Sequence, residues 1–146
     1  MSRDMIKTAE SLIKRCKTIM VASVGEDGMP HQKIMYAARV REGVKVFYLS
    51  TNTSSLRVAH FRSNPNASLY FCEKRFFHGM ELLGRMEVLE DDEHKRMLWH
   101  LGDTQYYPLG VTDPDYCVLR FTAERGRFYI DSRSVDFEVG VADAPA

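Results

Sequence analysis

Apolar residues at Met5, Ile6, Ala9, Leu12, Ile13 and Cys16 fall on one stripe at helical spacing, with Lys7, Glu10, Lys14 and Arg15 elsewhere. The pattern predicts an amphipathic helix over residues 4–17, capped by Ser2 or Asp4. From Thr18 to Val24 the period changes to two, and the Asp27-Gly28 pair that follows is a hairpin turn signal, because glycine tolerates positive φ. A second strand is expected over 31–40, a turn at Arg41-Glu42-Gly43, and a third strand from Lys45. Two hairpins in succession predict an antiparallel meander in which the second strand lies beside the third.

The pattern continues with a helix over about 54–62, a break at Asn64-Pro65-Asn66, and strands over 67–73 and 79–89. The Asp91-Asp92-Glu93 cluster suits a helix N-terminus, which places a helix over 94–101. Residues 102–115, with Tyr106-Tyr107-Pro108, read as a structured loop. A last pair of strands is expected over 116–122 and 126–130, turning at Ala123-Glu124-Arg125-Gly126, with a mobile tail over 140–146. These strands, with single helices between them, predict a mainly β fold, a small antiparallel barrel with flanking helices, in one domain over 1–146.

Charge narrows the function. Lys plus Arg and Asp plus Glu number 20 each, so the formal net charge is zero and no long-range field draws the chain to nucleic acid or an anionic membrane. Any phosphate must be captured locally. Cys16, Cys72 and Cys117 are an odd number without paired spacing, which speaks against a disulfide framework or a zinc site and for reduced core thiols. The five histidines make no i, i+4 pair on a helix face, His94 and His100 lying about 240° apart, so no metal is expected. No basic region followed by an apolar one opens the chain, and no apolar run has the length of a membrane span, so a cytoplasmic location is expected.

The stretch that carries chemistry is Lys45 to Arg57. An alternating strand ends in Ser50-Thr51-Asn52-Thr53-Ser54-Ser55, and this hydroxyl-rich turn opens a helix with Arg57 in its first turn. The first amides of a helix have no partner inside it and lie at the positive end of the macrodipole, so amides, hydroxyls and one cation converge on a candidate phosphate site. Ser54 and Ser55 equally serve as helix caps. Lys33, on the expected neighbouring strand, would be a second cation.

Pro30-His31-Gln32-Lys33-Ile34-Met35-Tyr36, then Phe47 to Arg57, then Asn64-Pro65-Asn66-Ala67-Ser68-Leu69, resemble the FMN-binding split barrel of the pyridoxamine 5'-phosphate oxidase superfamily. Trp99, Tyr106-Tyr107-Pro108, Asp113-Pro114 and Val118-Leu119-Arg120-Phe121 are similar to its general stress protein branch. The resemblance covers about 19–131. It implies a six-stranded split barrel that binds FMN, the phosphate held by Lys33 and Arg57 with the hydroxyls of Ser50, Thr51, Ser54 and Ser55. Ile34, Met35 and Tyr36 would run along the flavin ring. It also implies a homodimer with FMN at the interface, Trp99 and Tyr106 being the candidate aromatics from the second subunit. Ala38 stands where the vitamin-converting oxidases have a substrate-phosphate lysine, Gly79 where they have a flavin-contacting glutamine, and no arginine-rich motif follows Ile130. The expected function is therefore a flavin-dependent oxidoreductase on a small molecule other than pyridoxamine 5'-phosphate, no side chain being a committed general acid, base or nucleophile. The alternative is a protein that holds a flavin or tetrapyrrole without turnover.

Overall fold

The computed structural model describes residues 2–73 and 77–140; the tail expected over 140–146 lies outside them except for Gly140. The amphipathic stripe forms α1, Arg3–Arg15, with the Ser2 hydroxyl accepting the Met5 N–H at 3.2 Å and Ala9, Leu12 and Ile13 buried. It ends two residues before the expected Lys17, because Cys16 takes an extended backbone (φ −84°, ψ 109°) as its C-cap.

Eight strands follow among the described residues, where six were expected: β1 Thr18–Val24, β2 Pro30–Tyr36, β3 Val40–Glu42, β4 Val46–Asn52, β5 Asn66–Cys72, β6 Gly79–Leu89, β7 Tyr116–Ile130 and β8 Arg133–Glu138. Helix α2, Leu56–Ser63, separates β4 from β5, and α3, Asp92–Leu98, follows β6. Pairing is antiparallel throughout, in the order β2-β1-β5-β6-β7-β4-β3, with β8 added to β7. The two ends of this path, β2 and β3, are not paired with each other, so the sheet is a split barrel rather than a closed one.

Four expectations are corrected. The second strand stops at Tyr36, and Ala37-Ala38-Arg39 carries the chain to the separate β3. β2 pairs only with β1, while β4 pairs with β3 and β7, so the meander in which the second strand flanks the third does not form. The expected turn at 123–126 is instead the middle of β7: Leu83 pairs with Arg125 and Gly84 with Ala123, leaving Glu124 as the extra residue of a β-bulge. Gly126 is there because a Cβ would overlap the Phe137 ring of β8 and the Glu81 carbonyl. Finally, the third helix starts at Asp92 on an Asp91 cap, whose carboxylate accepts the His94 N–H at 3.1 Å, and ends at Leu98 rather than Leu101.

The expected strand over 116–122 forms the start of β7, where both faces are buried. Cys117, Leu119, Phe121 and Ala123 face the main core with Phe47, Leu69, Phe71 and Leu82. Tyr116 and Val118 face a second cluster with Tyr48, Leu98 and Tyr107. Such a strand shows no polar alternation. β8 escaped notice because only Phe137 of its six residues is buried. No helix among the described residues is long and apolar enough to cross a membrane.

The bulge makes a stability prediction. A Cβ on Gly84 would overlap the Thr122 carbonyl oxygen, a backbone atom held in the ladder. Gly84→Ala should lower unfolding free energy by about 1–3 kcal/mol, the usual cost of overpacking. A urea midpoint unchanged from the parent protein would contradict this.

Candidate functional site

The turn after β4 is built by β7. Their register sets Asn52 opposite Tyr116, which brings Asp115 to the turn. Its carboxylate accepts the Asn52 side-chain amide at 2.9 Å and the Ser54 N–H at 2.8 Å, and its backbone carbonyl accepts the Thr53 N–H at 2.8 Å. Ser55 caps α2, its hydroxyl accepting the Val58 N–H at 3.3 Å. No acidic residue occupies the first turn of α2, so the helix's own sequence leaves its positive end unneutralised.

Three buried side-chain atoms at this corner have no hydrogen-bond partner: Ser50 Oγ, Thr53 Oγ1 and Arg57 Nε. The Tyr116 hydroxyl and the Cys117 thiol are the polar neighbours of Ser50 and Thr53, but neither contact has hydrogen-bond geometry. Tyr116 in fact donates to the Lys95 carbonyl at 2.7 Å. Arg57 makes no ion pair among the described residues, and burial lowers its pKa from the usual arginine range. A buried donor without an acceptor costs about 1–3 kcal/mol, so these atoms are left at a cost to folding that their own chain does not offset.

Beside this corner lies a cleft of about 660 Å³, walled by the end of β2, the end of β4 and the segment after α3. Of the residues expected at the site, Met35, Tyr36, Ser50, Thr51, Arg57 and Tyr106 line it. Lys33, Ile34, Ser54, Ser55 and Trp99 do not. Lys33 is exposed, on the face of β2 that carries Met35 into the cleft and sets the His31 ring 4.6 Å from His60 of α2. Ile34 points to the other face, beside Met20 and Tyr70. Trp99 packs in the second cluster, its ring 5.3 Å from Tyr116 and 6.2 Å from Tyr107. Tyr106 reaches the cleft of its own chain, not only a neighbour's.

Sequence reasoning missed Lys17, Arg39, Asn52 and Asp103. Arg39 and Asp103 form a fork-to-fork pair, one arm at 3.0 Å, and Asp103 also accepts the His100 N–H at 2.9 Å. The Arg39 guanidinium holds the Asp103 carboxyl below the usual carboxylate range. This pair pins the loop after α3 to the cleft wall and neutralises Arg39, leaving Arg57 and the exposed Lys17 as cations at the rim with no ion pair among the described residues. Only Arg39 carried a signal, as an isolated arginine in an apolar connection. Among the described residues no cluster of three or more His, Cys, Asp or Glu could hold a metal ion.

The sheet is a split barrel whose opening lies beside the half-buried Arg57, unpaired among the described residues. The sequence profile of the family described as pyridoxamine 5'-phosphate oxidase matches residues 5–130, and the chain belongs to that family. Over 87 residues it is 32% identical to pyridoxine/pyridoxamine 5'-phosphate oxidase of Pectobacterium atrosepticum; the match spans 60% of this chain but only 37% of that one. A Clostridium acetobutylicum protein related to general stress protein 26 of B. subtilis, of the pyridoxinephosphate oxidase family, superposes with a TM-score of 0.85 at 38% identity. That match covers 95% of this chain and 97% of the other. A pyridoxamine 5'-phosphate oxidase-related, FMN binding protein of Nostoc punctiforme shares the fold, with a TM-score of 0.67 at 12% identity over 94% of this chain and 96% of its own.

The Asp115 bridge carries a pH dependence. Its hydrogen bonds from Asn52 and then from Ser54 depress its pKa below the ordinary 3.8, so its contribution to stability is present above that value and is lost as pH falls through the lower native one. Asp115→Ala should cost about 1 kcal/mol at pH 7, a value discounted for its partial exposure, and the gap from the parent should close towards pH 3. A gap of the same size at both pH values in chemical denaturation would rule out the carboxylate as its source.

Proposed function

We propose that the cleft binds FMN with the phosphate at the start of α2, and that the protein is a flavin-dependent oxidoreductase acting on a small molecule other than pyridoxamine 5'-phosphate. The observation that carries this reading is that Ser50 Oγ and Arg57 Nε, both without a hydrogen-bond partner, belong to residues that line the cleft. The donor set fits a phosphate: a half-buried guanidinium, hydroxyls and a helix N-terminus. Bound flavin supplies the hydride or electron transfer, and the protein supplies position and electrostatics.

Within that division Arg57 and the hydroxyls anchor the headgroup. Met35 and Tyr36 form one wall of the cleft, and the loop pinned by Arg39–Asp103 forms the other. Lys33, exposed on the face of β2 that carries His31 and Met35, would be the second cation on that phosphate in this reading. Tyr36 and Tyr106 at the rim are 76% and 56% exposed, and Leu101 is fully so. A second copy of this chain covering that apolar lip is the homodimer this reading expects.

Titrating FMN into the protein should quench flavin fluorescence, and Arg57→Ala should weaken binding by about 1.5–3 kcal/mol, or about 10- to 150-fold. Equal affinity in the two proteins would place the phosphate elsewhere. Activity is tested separately: anaerobic NADH or NADPH should reduce the bound flavin faster than free FMN. Reduction no faster than free FMN would leave a protein that holds flavin without turnover.

A further inference from the structure

The three cysteines differ in their surroundings. Cys117 is fully buried in the core, Cys16 is half-buried, and Cys72, expected as a buried strand residue, is exposed. Cys16 and Cys72 are 56 residues apart in sequence yet meet in space, the Cys16 thiol lying 3.6 Å from the Cys72 carbonyl oxygen to which it donates. The expectation of isolated core thiols therefore fails for these two.

Two independent features hold the pair together. The register of β1 on β5 sets Met20 opposite Tyr70, and two residues further along it brings the start of β1 level with Cys72. Next to each cysteine, Arg15 and Glu73 form an ion pair at 2.8 Å, so the dipeptides Arg15-Cys16 and Cys72-Glu73 are clamped side by side. Both cysteines line one surface pocket of about 340 Å³, together with Arg15, Lys17 and Glu73, which gives a small reagent access to them.

We propose that Cys16 and Cys72 form a redox-active dithiol that closes to an intramolecular disulfide by exchange with a small-molecule disulfide. Cys72 attacks first, because it is exposed, whereas burial raises the pKa of the Cys16 thiol and leaves it a poorer source of thiolate. The Cys72 thiolate breaks the S–S bond of the reagent, forms a mixed disulfide and expels one small thiolate, which takes up the proton Cys72 lost. Cys16 then attacks the Cys72 sulfur, expels the second small thiolate and passes its own proton to it. The protein loses two electrons and two protons, and one small disulfide becomes two small thiols. Arg15, adjacent to Cys16, opposes the rise in its pKa and so favours the thiolate in the second step. The cross-link would tie the end of α1 to the end of β5, one residue from Lys17, which lines both this pocket and the larger cleft.

The test exposes the full chain, under anaerobic conditions, to oxidised glutathione as the small disulfide, then denatures it and titrates free thiols. The expected result is a fall from three thiols per chain to one, a mass lower by two hydrogens, and a proteolytic peptide joining Cys16 to Cys72. Cys16→Ser should stop at a glutathione adduct on Cys72, and Cys72→Ser should keep both remaining thiols free. Because peptide mapping is done on the unmodified protein, a poorly folded variant does not blunt the test. Wild-type protein that keeps three thiols, stops at the Cys72 adduct, or cross-links two chains through Cys72 would overturn the proposal.

Discussion

The pairing of β7 is the constraint on which the other elements depend. One uninterrupted strand of 15 residues lies against β6 along its length, against β4 with its first half and against β8 with its second. A strand that long must change neighbours along one edge, and the bulge at Glu124, opposite the close approach of Gly84, is where it does so. Its two faces serve two apolar clusters, so it is the common wall of the main core and of the smaller core beneath α3.

The candidate site is a consequence of that pairing. Because β4 is in register with β7, Asp115 meets the turn after β4 and takes up its donors, and the chain leaves that turn directly into α2. The Ser55 cap satisfies one of the orphan amides of the helix, while Arg57 is carried to a half-buried position with no carboxylate to answer it among the described residues. An unpaired guanidinium and two unpartnered hydroxyls are a net cost to folding that the rest of the chain must offset. The neighbouring arginine, Arg39, shows the contrast: it is matched by Asp103 and serves the architecture of the wall.

The split in the barrel gives the cleft its location. A closed sheet would have paired β2 with its neighbour and filled the gap with backbone hydrogen bonds. Here the chain leaves β2 at Tyr36 and reaches β3 through Ala37-Ala38-Arg39, so the ends of β2 and β4 face each other across open space without a ladder between them. The same opening leaves apolar side chains at the rim that a lone chain does not cover.

What the sequence by itself determined was local. The stripe that makes α1, the Asp27-Gly28 hairpin, the hydroxyl cap of α2 and the carboxylate cap of α3 all depend on residues within a few positions of one another, and each could be read from spacing. The family motif likewise pointed to the corner at Ser50 to Arg57. Tertiary structure alone decided which strands are neighbours, that residues 116–130 are one strand, that β8 exists, and that Lys17, Arg39 and Asp103 join a cleft with Arg57. It also decided that Cys16 meets Cys72. The Cys16–Cys72 and Arg39–Asp103 contacts span 56 and 64 residues, where loop closure and the burial of shared faces, rather than any local preference, select the partner.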